Sequence, residues 1–453
     1  MLRNARFQLL TSLRPQFDLR YAEHICPSAV DPKRRCFVRL FRFSTRLSGA
    51  WREVIGIDFG TTNCRVAVME KDGNPKMIEL SDRKICMPSV VSFDQNGKTI
   101  VGAHPKDAIS DKTVIGIKRL IGRSYDEDAM ELQKLKKMIP YEIIPPDSEE
   151  EEEEEAWIKL TNGKKYSPAY IASLIIGRLI DETAKCRGNT YASHAVIAVP
   201  PFFDQDRTFA LRGAAERHSP CVDVIDESLA ASLYYLTKTN RQKGCFAVID
   251  LGGGSFDISI VNASNGLSGP DMKTIATKHV DSVTGVDLDH AIMELLLRRL
   301  EQETGEKIHK LGLSAHSSVV RREAERAKIE FFSSSALHSR INLAVRCVQG
   351  ISEQLEICLE RSEFEDSMKE AILKVKDLCW ICLKEANMKP KQVDEIILVG
   401  GMSRVPRVWE IVEEIFGKRP SEEVNPDEAV ALGAAIKANL IANKNENLVS
   451  YSL

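Results

Sequence analysis

The sequence lacks several features that would assign it to a common class at once. It has no stretch of about 18 apolar residues, so it contains no candidate transmembrane helix. Its net charge of −3 at pH 7 gives no reason to expect binding to nucleic acid. The 453 residues exceed what one compact core usually accommodates, which predicts two or three domains.

Cysteine and glycine motifs of the usual kinds are also missing. The eleven cysteines are scattered and do not indicate a disulfide framework. Cys379 and Cys382 form the one CxxC, and no second CxxC or histidine pair completes a zinc site. They fall in the apolar-periodic run 371–383, so we interpret them as buried helix cysteines. Neither a Walker A sequence nor a GxGxxG sequence is present, so the two common nucleotide-binding motifs are not indicated.

The first fifty residues differ in composition from the rest. They contain nine arginines and one lysine against three acidic residues, and the arginines alternate with leucine and phenylalanine. This pattern is typical of an organelle transit peptide. A plastid address and a disordered basic tail are the alternatives.

The remaining chain shows short apolar runs separated by turns. Runs 54–58, 66–69, 195–199, 246–250 and 395–399 predict buried strands. Ser167 followed by Pro168 predicts the start of a helix that continues through Ile180. Seven consecutive glutamates at 149–155 repel one another and predict a solvated loop, with an acidic interaction segment as the alternative.

One pattern occurs twice, nearly 200 residues apart. Residues 54–62 and 247–255 each read as a strand that ends in aspartate, followed by a glycine turn with hydroxyl side chains. We call the turn at 60–62 the first loop and the turn at 252–255 the second loop. The repeat predicts two similar domains that face each other across a ligand-binding cleft.

The residue types in the two loops favour a phosphate ligand. Gly60 and the glycines at 252–254 allow the backbone to approach an anion closely, and turn N–H groups bind anions. Asp58 and Asp250 end the strands beside these loops, and a carboxylate next to phosphate requires a cation such as magnesium. Asp257, seven residues after Asp250, would face the same site from the return strand. Taken alone, each Asp-x-Gly is more often an ordinary turn.

A third glycine element follows the predicted strand 395–399. Gly400 and Gly401 would let a flat adenine ring lie against backbone, and Arg404 would stack on that ring.

These segments together resemble the 70-kDa heat-shock chaperone family, within the actin-like ATPase superfamily. The resemblance rests on residues 55–63, 118–123, 246–257, 397–406 and 424–430, and it extends from about 54 to 440. Asn63, Met402 and the stretch 411–435 are most similar to the mitochondrial and bacterial branch. The resemblance implies a two-lobed α/β fold, made of duplicated ribonuclease-H-like domains around a central nucleotide cleft.

The resemblance also implies the lobe boundaries. Lobe I would span 54–240 and include the acidic loop 147–155, and lobe II would span 241–426. A helix at 427–442 would return to lobe I, and 443–453 would be a tail.

The resemblance further implies a role for each candidate residue. The catalytic residues would be Lys118, Glu227, Asp250, Asp257, Ser255 and Asp58. Among them, Asp58, Glu227 and Asp250 would hold Mg²⁺, partly through water. Lys118 would lie near the γ-phosphate, while Ser255 and Asp257 would contact that phosphate and water or K⁺. The phosphates of ATP or ADP would be cradled by Gly60, Thr61, Thr62, Asn63, Gly252, Gly253 and Gly254.

The nucleoside would lie at the other end of the cleft. Glu325 and Lys328 would bind ribose, Gly400, Gly401 and Arg404 would hold adenosine, and Asp427 would close the pocket. The alternative for Glu325 and Lys328, at helical i,i+3 spacing, is a surface ion pair.

The sequence departs from the family pattern in several places. No interdomain linker, peptide-binding domain or lid follows residue 436, so peptide binding of the usual kind is not expected. Ser255 stands where the family usually has threonine, and Val286 replaces an acidic residue. Asp223 replaces an arginine of the surface that contacts J-domain proteins, which puts that partner in doubt.

We therefore expect a Mg-dependent ATPase domain of chaperone type that acts in protein folding in the mitochondrial matrix. Its partners would be a nucleotide exchange factor and full-length chaperones. The alternative function is a nucleotide-dependent binding module with negligible turnover, and the alternative locations are plastid and cytoplasm. A small-molecule kinase is less favoured, since no insert for an acceptor substrate is evident.

Overall fold

A computed structural model describes residues 53–94, 98–102, 112–146, 155–219, 221–266, 269–282, 284–308, 318–333, 336–346 and 352–450. The predicted transit peptide at 1–50 and residues 147–154 of the predicted acidic loop lie outside the described residues.

The strands occur mostly in consecutive groups that helices separate. They are β1 (Val54–Phe59), β2 (Asn63–Met69), β3 (Pro75–Met77), β4 (Met87–Pro88), β5 (Val91–Phe93), β6 (Thr99–Val101), β7 (Thr113–Val114), β8 (Glu142–Ile144), β9 (Trp157–Lys159), β10 (Lys165–Tyr166), β11 (His194–Val199), β12 (Val222–Asp226), β13 (Gly244–Leu251), β14 (Phe256–Gly266), β15 (Gly269–Val280), β16 (His338–Arg346), β17 (Ser352–Glu360) and β18 (Glu395–Val399).

The α-helices are α1 (Ala129–Lys136), α2 (Pro168–Cys186), α3 (Gln205–Glu216), α4 (Glu227–Thr239), α5 (Gly285–Thr304), α6 (Ser318–Ser333), α7 (Arg361–Glu385), α8 (Pro406–Phe416) and α9 (Ala429–Ser450). Short 3₁₀ turns are formed by Ile117–Arg119, Pro390–Gln392 and Gly401–Arg404.

Two sheets share one arrangement. In the first, the order is β12-β11-β1-β2-β3, with β4 also paired to β2. Strand β1 is antiparallel to β2 and parallel to β11. In the second, the order is β15-β14-β13-β18, and β13 is antiparallel to β14 and parallel to β18. Each sheet therefore has a central strand with a hairpin partner on one side and a parallel strand on the other.

The predicted local elements form where the sequence placed them. Every predicted strand is present, in most cases extended by one to three residues. Ser167 caps α2 by accepting a hydrogen bond from the Tyr170 N–H, and Pro168 occupies the first turn, where its missing N–H costs nothing. Cys379 and Cys382 are fully buried in α7, which confirms the interpretation as core cysteines.

Helix α4 contacts strands of both sheets, and helix α9 packs against α4 and the first sheet. Strand β1 is buried on both faces, as expected for a strand with a parallel neighbour. Ile55, Ile57 and Phe59 pack into a core beneath the first sheet. Val54, on the opposite face, belongs to a cluster that includes α4, α9 and residues of both sheets. Helix α9 begins at Ala429 and continues past residue 442 to Ser450.

Among the described residues, no helix has both the length and the apolar character needed to cross a membrane. The mixed α/β architecture with two duplicated sheets is the predicted actin-like ATPase fold.

Candidate functional site

A cavity of about 220 Å³ lies between the two sheets, at the ends of β1, β13 and β18. Most of the predicted residues line it: Asp58, Gly60, Thr61, Thr62, Asn63, Lys118, Glu227, Asp250, Gly252, Gly253, Gly254, Ser255, Glu325, Lys328, Gly400, Gly401 and Asp427. The fold thus brings together segments more than 350 residues apart in the chain.

The two predicted phosphate loops face each other directly. A Cβ atom on Gly253 would lie 2.3 Å from Thr62 Oγ1, and one on Gly254 would lie 2.2 Å from Thr61 Oγ1. Both distances are far below van der Waals contact, so only glycine permits this approach. Backbone N–H groups and hydroxyls from both lobes therefore meet at one place, as an anion site requires.

The hairpin register places acidic and basic residues side by side. Asp250 pairs across the strands with Asp257, so the two carboxylates lie on the same face of the sheet, although Asp257 itself does not line the cavity. In the first hairpin, Asp58 pairs in the same way with Arg65, which lines the cavity. Sequence reasoning missed Arg65, although it lies seven residues after Asp58, just as Asp257 follows Asp250.

A buried ion pair crosses the floor of the cavity. Lys118, from the 3₁₀ turn Ile117–Arg119, and Glu227, from the first turn of α4, lie 2.5 Å apart between Nζ and Oε1. Burial lowers the pKa of Lys118, but Glu227 and Asp58 raise it by more, so the net shift is upward. The ammonium therefore stays charged in a site that collects anions.

Burial, together with repulsion between neighbouring carboxylates, raises the pKa of two aspartates at the site. Burial raises the pKa of Asp58 to about 6, against the opposing effect of Arg65. Burial, followed by repulsion from Glu227 and Asp58, raises the pKa of Asp250 to about 8. A cation near these groups would favour their charged forms.

Asp257 is buried next to Asp250, behind the residues that line the cavity. Its Oδ2 accepts a hydrogen bond of 2.8 Å from Ser255 Oγ, whereas its Oδ1 is buried and has no partner among the described residues. Burial and repulsion by Asp250 raise its pKa well above the ordinary value. An unpaired buried oxygen is costly, so a ligand, water or cation is expected to occupy this place.

The carboxylates fit a hydrated magnesium ion better than a directly bound one. Among the described residues, no three acidic, histidine or cysteine side chains converge closely enough to ligate a metal ion by themselves. Magnesium usually keeps several waters and takes one or two carboxylates with substrate phosphates. Asp58, Glu227 and Asp250 have the right chemistry to hold such an ion partly through water.

Glu325 and Lys328, which are predicted to bind ribose, do not form the surface ion pair that their spacing alone allows. Lys328 Nζ lies 2.7 Å from Asp289 Oδ1, on the neighbouring helix α5, and both side chains are about nine-tenths buried. Glu325 and Lys328 both line the cavity from α6. The residues Ile329 and Phe332, one turn further along α6, add an apolar wall that sequence reasoning missed.

Arg404 lies beside the cavity and lines an adjoining one. Its guanidinium contacts Asp427 at 2.5 Å and Asn425 at 3.1 Å. Asp427 also accepts a 2.8 Å bond from Arg65, so one carboxylate joins the two arginines. In this structure Arg404 therefore positions Asp427.

Comparison with known proteins agrees with the geometry. The family model described as Hsp70 protein matches residues 54–449. The mitochondrial heat shock 70 kDa protein of Solanum tuberosum is 39% identical over 428 residues, which cover 94% of this chain and 59% of that protein. The protein of the same description from Pisum sativum is 39% identical over 411 residues, covering 90% of this chain and 58% of its own length.

The chain thus spans somewhat less than three fifths of these relatives. Because the match covers nearly all of the described residues and includes both phosphate loops, the chain belongs to the Hsp70 family.

Proposed function

We propose that this chain binds ATP in the cleft and hydrolyses it to ADP and phosphate. The observation that carries the proposal is the meeting of two hydroxyl-rich glycine loops above Lys118, Glu227, Asp58 and Asp250. Phosphoryl transfer depends mainly on positioning and on neutralising charge, and this arrangement offers both.

The chain's own residues have distinct tasks. The N–H groups and hydroxyls of the first and second loops bind the phosphates from both sides. Lys118 neutralises charge that develops on the γ-phosphoryl group, and Glu227 orients that ammonium and the attacking water. Ser255 and Asp257 hold the water or a K⁺ ion at the unpaired Asp257 Oδ1. When bound, Mg²⁺ neutralises phosphate oxygens and lowers the charge that the protein must offset.

The other end of the cleft suits a nucleoside. Gly400 and Gly401 offer backbone, and Ile329 and Phe332 offer an apolar wall against which adenine would lie. Glu325 and Lys328 are placed to bind ribose hydroxyls, and Arg404 and Asp427 would close the pocket. We propose that lobes 54–240 and 241–426 rotate about this cleft as the nucleotide changes.

The wider role rests on the family and on the relatives' names. We propose a part in protein folding or quality control in mitochondria, since both relatives are described as mitochondrial. A nucleotide exchange factor and full-length chaperones are the partners we propose. A J-domain partner is less favoured because Asp223 places a negative charge on β12.

A second candidate is a binding module that turns over ATP negligibly. It is favoured by the tight Lys118–Glu227 contact, because an ammonium committed to a carboxylate is less free to stabilise a transferring phosphoryl group.

Single-turnover hydrolysis of ATP by the purified full chain, with Mg²⁺ and K⁺, tests the proposal. We expect Lys118→Ala to lower the rate by at least about 100-fold, on the scale of other electrostatic catalytic groups. Lys134→Ala, at an exposed lysine of α1, is the matched control and should leave the rate unchanged. Tight ATP binding without Lys118-dependent hydrolysis would instead favour the binding module.

A further inference from the structure

Arg65 introduces a guanidinium into the cleft that the proposed function does not use. The residue lies on β2, opposite Asp58 in the hairpin register. Its Nη1 is 3.8 Å from Asp58 Oδ2, and its Nη2 is 2.8 Å from Asp427 Oδ1. The side chain is 16% exposed and lines the cavity, so it spans the distance between the metal-binding end and the nucleoside end.

One donor of this guanidinium is unsatisfied. Arg65 Nε is buried and, within the described part of the chain, has no hydrogen-bond partner. A buried donor of a charged group without a partner is costly, and such groups usually indicate a missing ligand or water. The other two cations that line the cavity also contact carboxylates, Lys118 at Glu227 and Lys328 at Asp289. Among the described residues, however, only Arg65 leaves a buried side-chain nitrogen without a partner.

The two hairpins carry different residues at the position opposite the strand-end aspartate. The residue equivalent to Arg65 in the second hairpin is Asp257. One lobe therefore presents a carboxylate beside its strand-end aspartate, and the other presents a guanidinium. A carboxylate serves a cation or a water, whereas a guanidinium is suited to phosphate oxygens, which it binds with several donors in a fixed plane.

We propose that Arg65 binds a phosphate oxygen of the nucleotide, with Asp58 and Asp427 as the counter-ions that hold the guanidinium in place. The inference rests on the proposed nucleotide site and adds a residue that determines its strength and ion dependence. Because Arg65 neutralises part of the phosphate charge from the protein side, the chain retains ADP binding when Mg²⁺ is removed.

A purely structural role predicts a different pattern. Arg65 and Arg404 share Asp427, so removal of Arg65 would shift Asp427 and loosen the nucleoside end. In that case adenosine, which has no phosphate, would lose affinity as much as ADP does. The comparison of the two ligands therefore separates a phosphate contact from an architectural tie.

Isothermal titration of the full chain with ADP and with adenosine, each in MgCl₂ and in EDTA, tests the proposal. In Arg65→Gln we expect ADP affinity to fall by about 10- to 100-fold, as for other hydrogen bonds to charged groups. The fall should be larger in EDTA, and adenosine affinity should change by less than about 2-fold. Arg212→Gln, at an exposed arginine of α3, is the matched control and should bind like the wild type.

The outcomes are decisive in both directions. Equal losses for ADP and adenosine, or no loss in a variant with an unchanged melting temperature, overturn the role of Arg65. Arg65→Lys keeps the positive charge but lacks the Nε donor, so it should bind ADP less tightly than the wild type. If Arg65→Gln does not fold, Arg65→Lys allows the same comparison of ADP with adenosine. A wild-type chain that binds neither ADP nor ATP refutes the nucleotide site itself, which is a different result.

Discussion

Lys118 and Glu227 form a buried ion pair of 2.5 Å, and each residue is less than one-tenth exposed. Lys118 lies in the 3₁₀ turn Ile117–Arg119, which precedes helix α1, and Glu227 is the first residue of helix α4. Their surroundings are not symmetric. Lys118 is attracted by Glu227, Asp58 and Asp250, whereas burial raises the pKa of both aspartates and repulsion by Glu227 raises it further.

This asymmetry predicts unequal effects on stability. Lys118→Met leaves several carboxylates without their cation and should lower the free energy of unfolding by about 3–5 kcal/mol at pH 7. Glu227→Gln keeps an acceptor for the lysine and relieves repulsion, so its cost should be about 1 kcal/mol or less. Urea denaturation of both variants without nucleotide measures the difference. Equal costs would show that the pair acts alone, without influence from the two aspartates.

Asp257 should matter for hydrolysis more than for binding. Asp257→Asn keeps the shape of the side chain and an oxygen that can accept the hydrogen bond from Ser255. It removes the carboxylate to which the unpaired Oδ1 belongs. We expect the single-turnover rate to fall by about 100-fold or more, as for other groups that position a reacting water, while ADP affinity changes by less than about 3-fold. Ser255→Ala, which deletes only the hydroxyl, should have a smaller effect. An unchanged rate in Asp257→Asn would exclude Asp257 from the reaction.

The contact between the two loops predicts the effect of a single methyl group. Gly254→Ala would bring Cβ to 2.2 Å from Thr61 Oγ1, so the loops must separate. ADP affinity should then fall by at least about 10-fold, on the scale of a small misplacement in a binding site. Gly213→Ala is the control, because its Cβ meets nothing within 4 Å in helix α3, and it should stabilise the protein by about 0.5–1 kcal/mol. Titration calorimetry measures the ADP affinity of both variants, and thermal melting measures their stability. Equal ADP affinity in Gly254→Ala and the wild type would contradict the close approach of the two loops.

His218 predicts a pH effect on stability far from the cleft. Burial lowers its pKa below the ordinary value of 6.5, against the opposing influence of Asp181 and a hydrogen bond with Ser173, and Arg217 lowers it further. The unfolded chain therefore binds a proton more readily than the folded one, so stability is lost as the pH falls below about 6.5. We expect the free energy of unfolding to decline more steeply between pH 7.5 and 5.5 in the wild type than in His218→Gln. Parallel curves would show that His218 is not protonated differentially.

Part of this protein follows directly from its sequence. Strand β18 was predicted residue for residue, and the start of α2 followed from Ser167 and Pro168, because apolar runs, caps and glycine turns act over a few neighbouring residues. The two aspartate-glycine hairpins were also visible, since their chemistry is contained in one turn. Repetition of that turn then indicated two lobes around a cleft, as the structure has them.

Other features depend on tertiary contacts between segments distant in the chain. Spacing allowed Glu325 and Lys328 to pair on the surface of a helix, but packing of α6 on α5 gives Lys328 a buried partner in Asp289. Hairpin register places Arg65 opposite Asp58, as it places Asp257 opposite Asp250. The surroundings of its guanidinium, with Asp427 at Nη2 and no partner at Nε among the described residues, depend on a segment more than 350 residues away. The sequence determines which residues stand beside each other along a strand or a turn. Only the tertiary structure decides which charges share one low-dielectric cavity, because that depends on the approach of two lobes whose contacts no local pattern encodes.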